Sequence, residues 1–273
     1  MKNRKLNQLL VASVISAAMM TSAIGVNAAD FSDDTSAAAE QTLDAGEDET
    51  PDFEDDSEFQ SDAAEATSTV AVNATNFPDA KFRQYVLDNI DTNKDKKLST
   101  EEIKAAKSID VSGLGISNLK GVECFTYATD LFAANNKLKT IDITKNTKIA
   151  YLNLSNNSLT GTLNLSKCTN LHVVKYGSNK LTKVTMPAKK YLKNLDFVDA
   201  SSNKFTTQAN AGLNIGDTDY VKSLSEVNAS NNAITSFNCA GFQGILDLRN
   251  NKITNLKLEN SKEGSQVVSL YLD

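Results

Sequence analysis

From Ile109 to its last residues the chain repeats itself, and this limits the possible folds more than any compositional figure. A unit of twenty-odd residues cannot enclose a core alone, so its copies must stack. The clearest copies read IAYLNLSNNSL (149–159), LHVVKYGSNKL (171–181), LDFVDASSNKF (195–205), LSEVNASNNAI (224–234) and ILDLRNNKI (245–253). LFAANNKL (131–138) and a degenerate IDVSGLGI (109–116) precede them. Aligned on asparagine, they give Asn136, Asn157, Asn179, Asn203, Asn232 and Asn251, at steps of 21, 22, 24, 29 and 19 residues. These periods fall in or near the leucine-rich range.

Alternation within a unit assigns its sides. In Leu152-Asn153-Leu154 the leucines face inward and Asn153 outward, the period of a short strand. An asparagine at the turn that follows can bond backbone groups left without partners there, coil after coil. The return halves, such as LKTIDITKN, LTGTLNLSKC and ITNLKLEN, are too short for full helices and alternate like strands. The expected fold is a leucine-rich-repeat solenoid with short parallel strands on a concave face and irregular or strand-like convex segments. The 29-residue unit should carry a longer loop or short helix on its convex side. VVSLYLD (267–273) opens another unit, so the solenoid is either short by nature or a piece of a longer one.

Outward strand positions are the candidate contact residues. The leading ones are Asp130, Tyr151, Val173, Phe197, Glu226 and Ile245; the trailing ones are Phe132, Asn153, Lys175, Asp199, Asn228 and Asp247. With strands about 4.8 Å apart, Tyr151, Val173 and Phe197 form a contiguous apolar stripe, and such a stripe on a solvent-facing sheet invites a partner. Partner-binding candidates are therefore Phe132, Tyr151, Asn153, Val173, Lys175, Phe197, Asp199, Ile245 and Asp247, with a protein favoured over a glycan. Scattered surface hydrophobes are also ordinary, and the competing expectation is a structural spacer or fragment of a larger surface protein.

Ahead of the repeats lies a helix–loop–helix pattern over 71–107, expected to cap the solenoid over Ile109, Val111 and Leu114. Pro78 and Asp79 suit a helix start, and Phe82, Tyr85, Val86 and Ile90 give it an apolar side. A second helix should begin near Ser99 or Thr100. Between them, DTNKDKKLSTEE sets oxygen donors at calcium-loop spacing: Asp91, Asn93, Asp95, the Lys97 carbonyl, Ser99 and Glu102 at positions 1, 3, 5, 7, 9 and 12. Lys96 stands at position 6, where the turn favours glycine, and a positive φ there costs about 1 kcal/mol or more. The loop either holds a weak, structural Ca2+ or is a polar turn. A single copy does not support a paired sensor.

The first 28 residues have Lys2, Arg4 and Lys5, an interrupted apolar run and a small-residue end at Val26-Asn27-Ala28, the pattern of a secretory signal peptide. Residues 29–70 form an acidic segment expected to be disordered; positions 30–66 hold 15 Asp or Glu and no Lys or Arg, and little there can be buried. Beyond that tract, 25 basic residues outnumber 19 acidic ones. The lysines are dispersed, apart from Lys189, Lys190 and Lys193, which argues against nucleic acid as a partner. Cys124, Cys168 and Cys239 fit neither a disulfide framework nor a metal set and read as small buried hydrophobes. His172 is the sole histidine, and the carboxylate pair Asp217 and Asp219 sits in a loop, so an enzyme, including a glycan-acting one, is not expected.

NFPDAKFRQYV, DTNKDKKLSTEE and SIDVSGLGISNLKGVECF, followed by LNLSNNSL, resemble secreted leucine-rich-repeat proteins of Gram-positive, often gut-dwelling, bacteria, which are similar to internalins. The resemblance spans roughly residues 74–273. It implies a secreted or cell-surface adhesion module recognising an extracellular or surface protein, possibly a glycan, with no transmembrane segment in the mature chain.

Overall fold

The structure, a computed structural model, describes residues 69–213, 223–239, 242–257 and 269–273. The expected leader, nearly all of the acidic segment, and Asp217 and Asp219 lie outside the described residues. In chain order the elements are β1 (Val70–Ala71), α1 (Ala80–Asn89), β2 (Lys97–Leu98), α2 (Thr100–Ala105), β3 (Ser108–Asp110), β4 (Asp130–Phe132) and β5 (Tyr151–Asn153). They continue with β6 (Thr160–Asn164), β7 (Val173–Lys175), β8 (Lys180–Thr185), β9 (Phe197–Asp199), β10 (Glu226–Asn228), β11 (Ser236–Asn238), β12 (Ile245–Asp247), β13 (Asn255–Lys257) and β14 (Ser269–Tyr271).

Eight of these make one sheet in the order β3-β4-β5-β7-β9-β10-β12-β14, every pairing parallel, with one strand from each successive coil. The chain is thus a leucine-rich-repeat solenoid of parallel strands. Return segments form two parallel pairs, β6 with β8 and β11 with β13, as their alternation predicts. Of VVSLYLD, the described residues Ser269–Tyr271 form β14, a strand of a further coil. Central strand residues Ile109, Leu131, Leu152, Val174, Val198, Val227 and Leu246 are all buried and stack along the core. Two positions after each, Val111, Ala133, Leu154, Tyr176, Ala200, Ala229 and Leu248 form a second buried row. Tyr176 is the outsized member. Small Ala200 sits beside it, its ring meets Phe205 edge-on, and its hydroxyl donates to the Ala211 carbonyl at 2.6 Å. That bond ties down the turns of the long unit.

The asparagines form a ladder. Asn157 donates from Nδ2 to Ala133 O in the preceding coil and to Leu154 O in its own, while its Oδ1 accepts from Leu138 N in the preceding coil. Asn136, Asn179, Asn203, Asn232 and Asn251 repeat this pattern. One side chain thereby satisfies a donor and carbonyls that strand-to-strand pairing cannot reach. The residue before each ladder asparagine is left-handed: Asn135, Asn156, Ser178, Ser202, Asn231 and Asn250 have φ of 52–56°. Asparagine tolerates this backbone better than most residues, which accounts for the Asn-Asn pairs in four units.

The helical cap is joined to the first coil. Asp79 caps α1 by accepting from Lys81 N and Phe82 N on Oδ1, while its Oδ2 accepts from Ser117 N and Oγ and from Asn118 N. Phe77 packs against Phe82 and Phe125, and the Tyr85 hydroxyl accepts from Asp110 N. Ile109 and Val111 are buried in the core, whereas Leu114, also expected under the cap, is 41% exposed. Gly113 and Gly115, at φ 72° and 70°, turn the chain so that Leu114 faces out and its carbonyl accepts from Lys81 Nζ. Ile116 and Leu119 are buried in its stead. The folded region also takes in Val70, one residue upstream of the expected start, because β1 pairs antiparallel with β2.

Candidate functional site

Strand register brings the outward residues into two straight rows. Asp130, Tyr151, Val173, Phe197, Glu226 and Ile245 are successive partners in one, with Ser108 and Ser269 at its ends. Asp110, Phe132, Asn153, Lys175, Asp199, Asn228, Asp247 and Tyr271 form the other. All nine partner-binding candidates therefore lie on one face. Tyr151, Val173 and Phe197 are adjacent as expected, and Phe132 pairs with Asn153, diagonal to Tyr151.

The stripe is less open than alternation alone suggests. Tyr151, Val173 and Phe197 are half-buried, whereas Ile245 is 38% exposed. The His172 ring stacks on Tyr151 at 5.7 Å between centroids, and Lys175 Nζ lies 5.0 Å from the centre of the Phe197 ring. His172 immediately precedes β7. These contacts hold the aromatic rings in place, which lowers the entropy lost when a partner covers them.

The trailing row has a job that strand alternation does not reveal. Asp110, Asn153, Asp199, Asn228 and Asp247 each accept, through Oδ1, the backbone N–H two residues on, from Ser112, Ser155, Ser201, Ser230 and Arg249. They end the strands by closing Asx turns. The recurring Asx-x-Ser spacing in NLS, DAS and NAS carries this signal. Phe132 and Lys175 occupy the same row without closing such turns. Asp247 also forms a two-pronged pair with Arg249, and the Arg249 hydrogen bond holds its carboxyl below the usual value. Asp130 goes the other way: partial burial raises its carboxyl, against a bond from Thr129.

The 91–102 loop is tightly stitched. Asp91 is buried; its Oδ2 accepts from Lys96 N at 2.9 Å, and its Oδ1 has no partner. Asn93 Oδ1 accepts from Asp95 N, and Asp95 Oδ1 from Lys97 N. Ser99 caps α2 in a capping box with Glu102. Glu102 is also buried: Oε1 accepts from Thr92 N and Oγ1 and from Asn93 N, and Oε2 from Ser99 N and Oγ. Burial alone would raise its carboxyl; the bonds from Ser99 and Thr92 outweigh that and hold it down at about 2. Lys96 takes the left-handed turn at φ 63°, as its position requires, and Lys94 takes a second one at 61°. Among the described residues no three His, Cys, Asp or Glu side chains converge as a metal set.

All three cysteines are free thiols. Burial pushes Cys124 up to about 12 and Cys168 to about 11, which leaves both as thiols at neutral pH. No helix among the described residues is long and apolar enough to cross a membrane.

Fold and face together define a leucine-rich-repeat module with a stitched helical cap. No protein-family model and no curated protein matches the chain. Among solved structures it is similar to an internalin C2 from Listeria monocytogenes, at 17% identity over 76% of this chain and 98% of that one, with a TM-score of 0.46. An internalin F from the same organism matches at 16% identity over 76% and 85%, with a TM-score of 0.38. The plant peptide hormone receptor RGFR1 in complex with RGF2 matches at 22% identity over 59% of this chain and 29% of that one, also with a TM-score of 0.38.

Proposed function

We propose that the chain is an exported, secreted or surface-held module that docks an extracellular or surface protein on the outer face of its long sheet. Phe132, Tyr151, Val173 and Phe197 would make the centre of the contact, with Asn153, Lys175, Asp199, Ile245 and Asp247 around it. One observation carries this: in-register apolar side chains lie on the solvent side of a sheet whose other side already holds the core. A spacer would have no use for such a strip. A glycan ring stacking on Tyr151 and His172 is the second choice, favoured by that ring pair alone. The test is the triple variant Phe132→Ser, Tyr151→Ser, Phe197→Ser, which leaves the buried face untouched. It should keep the wild-type unfolding midpoint within a few degrees and lose partner binding; unchanged binding by the folded variant overturns the proposal.

For the 91–102 loop we propose a weak structural calcium site of extracellular class, with Kd about 10⁻⁴–10⁻³ M. Support comes from Asp91 Oδ1, a buried carboxylate oxygen without a partner beside oxygen donors at calcium spacing. Asp91, Asn93, Asp95, the Lys97 carbonyl, Ser99 and Glu102 would hold the ion, whose charge would fix the loop under the cap. The capping-box bonds of Glu102 compete with that role and set the affinity low. Calorimetry with about 10 mM calcium, well above that class, should give heat and a raised melting temperature; neither response would reject the site.

A further inference from the structure

The charge on the proposed docking face is opposite to that of the body behind it. From residue 67 onward the chain has 25 basic and 19 acidic residues. The outward strand positions, however, carry five carboxylates, Asp110, Asp130, Asp199, Glu226 and Asp247, against the single amine of Lys175. Arg249 neutralises Asp247; no described lysine or arginine lies within ion-pair distance of the other four. Asp110 and Asp130 flank the apolar strip toward the cap, and Asp199 and Glu226 flank it on the far side. Lys175 lies over the Phe197 ring instead of reaching Asp199. A sheet face built this way presents an apolar centre between two sets of uncompensated negative charge.

We infer that this face recognises a basic polypeptide segment, one seating an apolar residue on the Phe132–Tyr151–Val173–Phe197 strip between lysine or arginine side chains. The inference rests on the docking role proposed above and adds the chemical class of the partner. A sulfated or sialylated glycan meets like charge on this face, at a cost the strip does not offset. A neutral glycan leaves the four carboxylates unused. A cationic segment gains from every one of them, and from Asp130 most, since its partial burial penalises the bare anion until a cation arrives.

The probe is a displayed library of random peptides, selected for binding to the full chain and counter-selected on the Phe132→Ser, Tyr151→Ser, Phe197→Ser variant. The expected binders are net basic with a central apolar or aromatic residue. Their affinity should fall by about tenfold in the charge-neutral variant Asp110→Asn, Asp130→Asn, Asp199→Asn, Glu226→Gln, and by less as salt is raised. Asparagine keeps the Oδ1 acceptor that closes the Asx turns, so this variant should fold. Strip-dependent binders of neutral or acidic composition, or basic binders indifferent to the four neutral substitutions, would overturn the charge inference alone. If nothing depends on the strip, the docking role itself falls.

Discussion

Asn179 gives the sharpest test of why the coils stack. It is 9% exposed, and its side chain bridges two coils: Oδ1 accepts from Leu159 N at 2.9 Å, and Nδ2 lies 3.0 Å from Leu154 O, 3.1 Å from Tyr176 O and 3.2 Å from Gly177 O. Each of the three carbonyls has another donor: Asn157 Nδ2, Asn203 Nδ2 and Asn156 N. The Leu159 N–H has none among the described residues, and Leu159 is buried. Asn179→Ala therefore orphans one buried donor, worth about 1–3 kcal/mol, and loses the net value of the Nδ2 bonds, roughly 1 kcal/mol more, for a total near 3 kcal/mol. Asn179→Asp separates the two halves of that sum. The introduced carboxylate still serves Leu159 N but turns an anionic oxygen toward three carbonyl oxygens, so at pH 7 it should cost more than alanine. Its folded pKa is raised, so the variant regains stability as pH falls and loses it as pH rises through that value. Urea unfolding of the full chain, followed by circular dichroism, measures both. A loss under about 1 kcal/mol for alanine, below the lower end for an orphaned donor, or an aspartate better than alanine at pH 7, would refute the ladder as the inter-coil bond.

Other outcomes follow from the cap. Glu102 has a depressed folded pKa, about 2 against 4.5, so its contribution is full above 4.5 and lost as pH falls toward 2. Stability measured across that window should decline by about 1–2 kcal/mol in the wild type, less than the full shift because solvent screens the carboxylate, and by less still in Glu102→Gln. Lys96→Gly removes a side chain from a left-handed turn at φ 63° and should stabilise the loop by about 1 kcal/mol while tightening calcium binding, both read from melting with and without the ion. At Gly121 φ is 104°, and an added Cβ would press into the Phe77 ring and stand 2.7 Å from Asn76 O. Gly121→Ala should therefore cost more than about 1 kcal/mol and loosen the cap, seen as faster hydrogen exchange in α1.

Much of this structure is legible in the sequence because a solenoid is a local, repeated solution. The Leu-x-Leu alternation sets the strands, and the asparagine spacing sets the register; the outward rows of Tyr151, Val173 and Phe197 follow from these two periods alone. Three features resisted. Asn153, Asp199, Asn228 and Asp247 looked like contacts, yet all four close Asx turns, as does Asp110 in the coil beside the cap, a job read only from the residue two positions on. Leu114 looked like core by its type, but the paired left-handed glycines beside it reverse its direction. The antiparallel pairing of β1 with the loop joins residues 26 and 28 positions apart, and a two-residue strand carries no periodicity of its own. The pairing of Glu102 with Thr92 and Ser99 illustrates the same point for the loop: one side chain suits both a calcium ligand and a capping box, and spacing alone does not separate them.

Hydroxyl-radical footprinting of the chain, free and bound to a selected partner, tests the central claim most directly, because it reads aromatic side chains one by one. Docking on the outer sheet face predicts protection of Phe132, Tyr151 and Phe197, with Tyr191, 45% exposed and outside the strip, labelled equally in both states. Protection of Tyr191 with no change at Phe132, Tyr151 and Phe197 would contradict it.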